Sequence, residues 1–373
     1  IEVLTLDVGT TTGETHKLSL TGVAATSLSN QTINIVDGLA ATGLTIVDVD
    51  TTTNVIDAST FVGDLTLSDR ASTVTTITTG SGTDSVPTEH VNDVIDMGTG
   101  ADTLTVSYTA IGKAIDVDMS VAAGLDMITI GGAVGTSQSN FESVDLASYV
   151  GTGSNVVGST GVNTITGSPK TDAINPGLGA DIILTSMGID YITVTETTAS
   201  ADILELGSSV DANNYNQITG FDFGGTATDD NIRALDTVFG FLGDGNANNA
   251  AVVVATGANL DAANTAKGAN TSTVYTITDD VATHTFAKFM SGASTYAQLE
   301  GSVSTAIGAA TDGDFDANTN VLIAVDDGVD TGIFYANSAA NAQTVSAAEI
   351  ELIGILKGVT NAATLVAADF VFA

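Results

Sequence analysis

Aspartates recur in this chain at intervals of nine, many behind glycines and each two places ahead of a branched apolar residue. Read from Thr79, the segments TGSGTDSVP, TEHVNDVID and MGTGADTLT put Asp84, Asp93 and Asp102 in the sixth place and Val86, Ile95 and Leu104 in the eighth. Read from Gly158, the segments GSTGVNTIT, GSPKTDAIN, PGLGADIIL and TSMGIDYIT put Asn163, Asp172, Asp181 and Asp190 in the sixth place and Ile165, Ile174, Ile183 and Ile192 in the eighth. The chemistry open to such a set is the binding of a hard cation. Calcium takes six to eight oxygens, and carboxylates together with carbonyls bared by glycine turns supply them. Ca2+ is therefore the expected cofactor. The expected binding positions are Gly80, Gly82, Asp84, Asp93, Gly98, Gly100, Asp102, Gly161, Asn163, Asp172, Gly177, Gly179, Asp181, Gly188 and Asp190.

The nonapeptides are degenerate forms of G-G-x-G-x-D-x-U-x, the calcium-binding repeat of parallel β-helices. The residues around the eighth place form a short strand and the preceding six turn the corner. Successive turns of such a roll lie on opposite edges, so each turn stacks on the next but one. GSGTD (80–84) and GTGAD (98–102) then share an edge, with EHVND (89–93) opposite. STGVN (159–163) and GLGAD (177–181) likewise share an edge, and SPKTD (168–172) and SMGID (186–190) lie across from them. Lys170 stands where the third of these four loops would want glycine, and a cation there disfavours calcium. The glycine-complete edges are the better expected sites, so Asp102→Ala should cost more calcium binding than Asp93→Ala. A weaker single copy of the motif is GLDMI (124–128).

Upstream and between the two runs, β-prone segments recur about every ten residues, among them TINIV (32–36), LTIVDV (44–49), DLTLS (64–68), VTTIT (74–78) and TLTVS (103–107). Short strands at regular spacing suit a sandwich, a barrel or a solenoid. The phased nonapeptides decide for the solenoid, because stacked rungs need one repeat length. After residue 200 the pattern changes. NYNQITGFDFGGTATDDNI (214–232) is expected to close the roll. STYAQLEGSVSTAIGA (294–309) predicts a helix with Tyr296, Leu299, Val303 and Ile307 on one face. A hairpin is expected over 321–336 and a buried strand over 351–359. DGDFDAN (312–318) spaces three aspartates like the start of a calcium loop but lacks the glycine and distal glutamate of an EF-hand. The expected fold is mainly β. A parallel β-solenoid or β-roll spans 1–200, with nonapeptide runs at 79–105 and 158–193, and a C-terminal β-rich domain with at least one helix spans 201–373.

Of 373 residues, 44 are acidic and 8 basic, for a formal charge of −36. Nucleic acid is an unsuitable partner, since it needs clustered Lys and Arg. Carboxylates crowded on a folded chain repel one another, and bound divalent cations remove much of that repulsion. Hydrophobic residues make up 43 %, so the chain can bury a core and is not of the disordered acidic class. Cysteine is absent, and calcium can staple an extracellular protein where disulfides do not. No apolar run reaches 18 residues, so membrane insertion is not expected. An opening at Ile1 rather than Met leads to the expectation of preceding sequence. His16, His90 and His284 stand far apart and outside H-E-x-x-H, and G-x-S-x-G, a P-loop and a cysteine nucleophile are missing. No enzyme is expected.

The motifs Gly80-Ser-Gly-Thr-Asp84, Gly98-Thr-Gly-Ala-Asp102 and Gly177-Leu-Gly-Ala-Asp181 resemble those of the RTX (repeat-in-toxin) calcium-binding family. With FESVDL (141–146), the Thr/Ala/Val-rich strands and the terminal DFVF (369–372), the chain is most similar to calcium-dependent S-layer proteins of the Caulobacter type. The resemblance implies export by a type I secretion system through an uncleaved C-terminal signal. It further implies calcium-driven folding at the surface of a Gram-negative bacterium and self-association into a lattice or filament. Cell-surface polysaccharide would be met through sequence before Ile1. The competing expectations are the C-terminal part of an RTX adhesin, with 200–373 contacting a host or glycan, and the secretion and folding tail of an exoenzyme.

Overall fold

The protein, seen in a computed structural model, is described at residues 3–7, 15–19, 31–36, 43–47, 53–68, 75–88, 92–107, 112–122, 127–134, 138–206, 215–234, 251–256, 271–277, 285–311, 319–338 and 349–372. It is mainly β, with long parallel sheets. The chain forms two compact units, Ile1–Gly177 and Leu178–Ala373. This division falls inside the second nonapeptide run, whereas the reading of the sequence drew its line at residue 200.

In the first unit, sheet I runs Val3–Asp7, Gln31–Val36, Thr53–Asp57, Thr76–Thr78, Val94–Asp96 and Gln138–Ser139, all parallel. Sheet II runs Thr15–Ser19, Gly43–Val47, Leu65–Ser68, Ser85–Thr88, Thr103–Val106, Ser143–Asp145 and Thr164–Thr166, also parallel. The chain alternates between the two sheets as far as Val106, which is the winding of a β-roll. Sheet III, with Ile115–Asp118, Ser154–Val157 and Ala173–Asn175 in parallel, then takes over from sheet I. Ile128–Ile130 runs antiparallel to Ile115–Asp118 as a hairpin arm, and residues 124–126 of the GLDMI segment lie outside the described residues.

The rungs form because strands of three or four residues with period-two alternation bury one or two side chains each, one of them stacked through the sheet. That side chain is the eighth residue of the nonapeptide. Val86, Leu104, Val144 and Ile165 stack in register through sheet II, and Ile33, Ile56, Ile77 and Ile95 through sheet I. All eight are no more than 3 % exposed. A parallel strand this short holds only because its neighbours above and below complete its hydrogen bonds.

In the second unit, sheet IV runs Ile182–Leu184, Ile203–Glu205, Asn231–Ala234 and Phe370–Phe372 in parallel. Sheet V runs Tyr191–Thr193, Asn216–Thr219, Ile350–Lys357, Thr331–Ser338, Thr319–Asp326, Thr271–Ile277 and Ala251–Thr256, with Thr331–Ser338 antiparallel to both of its neighbours. The hairpin expected over 321–336 is this antiparallel pair. Segment 214–232, expected to close the roll, instead supplies two more parallel strands, and the terminal Phe-Val-Phe adds the next. Helices α1 (Phe286–Met290) and α2 (Tyr296–Thr311) cover sheet V. Leu299 and Val303 of α2 pack with Phe286, Phe334, Ile350 and Ile355 in one core cluster, and Tyr296 lies against it. The side chain of Ile307, segment 312–318 and the loop of Glu89 and His90 lie outside the described residues. No helix among the described residues is long and apolar enough to cross a membrane.

Candidate metal centre

Each repeat aspartate sits where its turn meets its strand, and each is buried: Asp84, Asp93, Asp102, Asn163, Asp172, Asp181 and Asp190 are at most 1 % exposed. Such burial needs hydrogen bonds, because a buried, unsatisfied polar group is costly. The bonds come from the backbone one rung earlier. Asp84 accepts the N–H of Leu65 at 2.8 Å, Asp102 that of Asp84 at 2.8 Å, and Glu142 that of Asp102 at 2.9 Å. Asp93 caps Thr75 at 2.9 Å and Asp172 caps Ser154 at 2.7 Å. In the second unit Asp202 accepts from Asp181 at 2.9 Å and Asp230 from Asp202 at 3.1 Å. In every one of these buried caps the acceptor belongs to the later rung.

The glycines serve a related end. A Cβ on Gly80 would lie 1.7 Å from the carbonyl oxygen of Phe61, on Gly82 2.2 Å from that of Gly63, and on Gly100 1.9 Å from that of Gly82. Neighbouring turns thus touch backbone to backbone, and only glycine fits. Gly98 adds a left-handed φ of 74°. The carbonyls between them are engaged: Phe61 accepts from Ser81 at 3.2 Å and Gly80 from Thr99 at 2.9 Å. Gly161, by contrast, has nothing nearer than 3.7 Å. Gly177 combines a φ of 101° with a Cβ position 2.0 Å from the Ser159 carbonyl oxygen. Gly179 and Gly188 have φ of 117° and 119°.

The repeat carboxylates differ in what is left over after capping. Asp172 is saturated: it accepts from the N–H and hydroxyl of both Ser154 and Ser168. Asp93 takes the Thr88 hydroxyl at 3.2 Å on its second oxygen. Asn163 donates to the Glu142 carbonyl and accepts from Ser159, using both ends of its amide. The second oxygens of Asp102 and Asp202 are buried without a hydrogen-bond partner. Burial, with repulsion from Asp84, Glu142 and Asp64 added, pushes Asp102 up to about 7. Burial, with Asp181 and Glu196 adding to it, pushes Asp202 up to about 7 as well. Both are sites where negative charge is held at a cost and a bound cation relieves it.

At Asp202 two further carboxylates form a candidate cation site. One carboxylate oxygen from each of Asp181, Glu196 and Asp202 lies within 4.8 Å of the others. With calcium–oxygen bonds of about 2.3–2.6 Å, three such oxygens fit around a single ion. Glu196 is held in place by Gly179 N–H at 3.0 Å on one oxygen and by the N–H and hydroxyl of Ser200, at 2.7 and 2.9 Å, on the other. It is the half-buried member, and it also lines a cleft of ≈ 210 Å3 bounded by Thr195, Ser200, Phe221, Asp222 and Asp230. The donors are oxygen only, which suits a hard divalent cation rather than a soft metal.

Of the expected positions, Asp181 is in this cluster, and Gly179 positions one of its members. Reading by nines misses Glu196, Asp202, Glu142 and Asp230, because their turns are longer than nine residues. A looser signal finds three of them: Glu142-Ser-Val144, Asp202-Ile-Leu204 and Asp230-Asn-Ile232 keep the acid two places before the stacked apolar residue. Glu196 carries no such mark. Neither a comparison with protein-family models nor a search of the curated proteins returns a match to this chain.

Proposed function

We propose that this protein is a calcium-dependent structural component of an extracellular assembly, a subunit of a bacterial surface layer or surface filament that self-associates outside a Gram-negative cell. The observation that carries the reading is the buried Asp181–Glu196–Asp202 cluster set into stacked parallel rungs. Such rungs make a rigid scaffold, and oxygen-only carboxylate donors suit a hard cation of the kind abundant outside the cell. Copies of a chain with a formal charge of −36 repel one another, so close association needs the same ions. Export by a type I system and contact with surface polysaccharide follow from the RTX and S-layer likeness of the motifs. Electron microscopy of the purified chain tests the proposal. Ordered arrays should form on addition of calcium and dissolve with chelator; a chain that stays monomeric at every calcium concentration, or arrays indifferent to chelator, would overturn it.

The cleft beside Glu196 favours a second reading, an adhesin module. Its carboxylates and hydroxyls, next to a cation, are groups that hold a sugar. Calcium-dependent capture of the chain by immobilised glycans, with no arrays, would select that reading.

A further inference from the structure

The last strand of sheet IV, Phe370–Phe372, lies parallel to Asn231–Ala234, with Ile232 against Phe370. It is seated by the acid that precedes it. Asp369 is fully buried and accepts the N–H of Val366 at 2.8 Å and that of Gly224 at 3.3 Å. The loop of Gly224 also packs on the segment, since a Cβ on Gly225 would stand 3.1 Å from Val366.

Asp229 folds that loop on itself through Thr226, and Asp230 ties it to the rung before. Asp230 accepts the N–H of Asp222 at 2.9 Å on one oxygen and that of Asp202 at 3.1 Å on the other. The Asp230 N–H returns to the Asp222 carbonyl at 3.0 Å. Asp202 is a member of the carboxylate cluster, and its second oxygen is buried with no partner. The strand starts are tied as well: Ile203 N–H donates to the Asp181 carbonyl at 2.8 Å and Asn231 N–H to that of Asp202 at 2.7 Å. The position of Asp202 thus sets that of Asp230, Asp230 sets the loop of 222–230, and the loop holds Asp369.

We propose that a divalent cation at Asp181, Glu196 and Asp202 seats the C-terminal segment 366–372 on sheet IV, and that removing the cation releases it. The inference rests on the calcium reading above and adds to it a gate on the chain terminus. Without the ion, three carboxylates repel across the starts of two neighbouring strands, and Asp202 turns from the geometry that offers its N–H to Asp230. With the ion they are drawn together and the next two strands are fixed in turn. Coupling of this kind is reciprocal, so a seated tail must strengthen cation binding by the factor by which the cation favours seating.

Hydrogen–deuterium exchange and calorimetric calcium titration on the whole chain test this together. Calcium should slow exchange of the amides of Phe370–Phe372 at least tenfold. Asp230→Ala should abolish that protection while calcium binding remains measurable. Asp369→Ala, outside the carboxylate cluster, should weaken calcium binding about fivefold or more. Protection over Ile350–Lys357 reports that a variant has folded; should Asp230→Ala fail there, Asp369→Asn decides by the same measure. Terminal amides equally protected in calcium and chelator, with calcium binding seen in the titration, overturn the gate and leave the calcium reading standing. No calcium binding at all overturns both.

Discussion

The turns that carry Asp84 and Asp102 and those that carry Asp181 and Asp202 are assembled from the same parts. In each pair, the later acid, at the mouth of a three- or four-residue strand, caps the N–H of the earlier one, and a stacked apolar residue follows each acid two places on. In the first pair the acids lie one above another along the sheet, about 4.8 Å apart by strand spacing. The Gly80 and Phe61 carbonyls beside them accept hydrogen bonds between turns. In the second pair, Glu196 comes in on a longer turn and adds a third carboxylate oxygen within 4.8 Å of the other two. The repeat alone therefore builds a hydrogen-bonded ladder with buried charge; a departure from the repeat gathers three carboxylate oxygens within reach of one ion.

The largest effect expected from this contrast is on calcium affinity. Asp202→Ala should weaken binding on the order of 100-fold, because affinity follows the number of charged ligands. Asp102→Ala should cost less and Asp93→Ala least, and isothermal titration ranks the three. An Asp102 loss equal to that at Asp202 would erase the distinction drawn here. Next in size is the packing of the turns. Gly100→Ala should lower stability by about 1–3 kcal/mol through overpacking, with or without calcium, as read from thermal or denaturant midpoints. A third effect depends on pH. Asp102 is pushed from 3.8 up to about 7, so between those values the native state keeps a proton that the unfolded chain has shed. Stability in chelator should then fall as pH rises from about 4 to about 7, and Asp102→Asn should flatten that slope. A slope untouched by Asp102→Asn would place the buried charge elsewhere. Gly161→Ala is the smallest change, within about 0.5 kcal/mol, since its turn is open.

Much of the fold was legible because a rung asks little of its sequence: one inward apolar residue, one acid, and glycine where turns touch. Ile95, Leu104 and Ile183 announce themselves by spacing alone. The unit division between Gly177 and Leu178 was hidden, because the nonapeptide frame runs through it unbroken. The acid ladder was half visible. Asp84 and Asp102 stand in the frame, but Glu142 and Asp230 follow turns of other lengths and are aligned only by strand register. Glu196 was invisible because nothing local marks it. It reaches Asp181 and Asp202 through a turn held by Ser200 and Gly179, and such a meeting is a property of three dimensions.

The buried caps all point one way: an N–H of each rung waits for an acid that the chain supplies only later. The solenoid is therefore asymmetric toward shortening. Trimming rungs from the front leaves every remaining capped N–H with its acid, whereas trimming from the back strands one capped N–H at each cut. For a chain threaded through a pore or released from a ribosome with its N-terminus leading, no rung is finished until its successor has emerged. Assembly of the stack is timed by its trailing end.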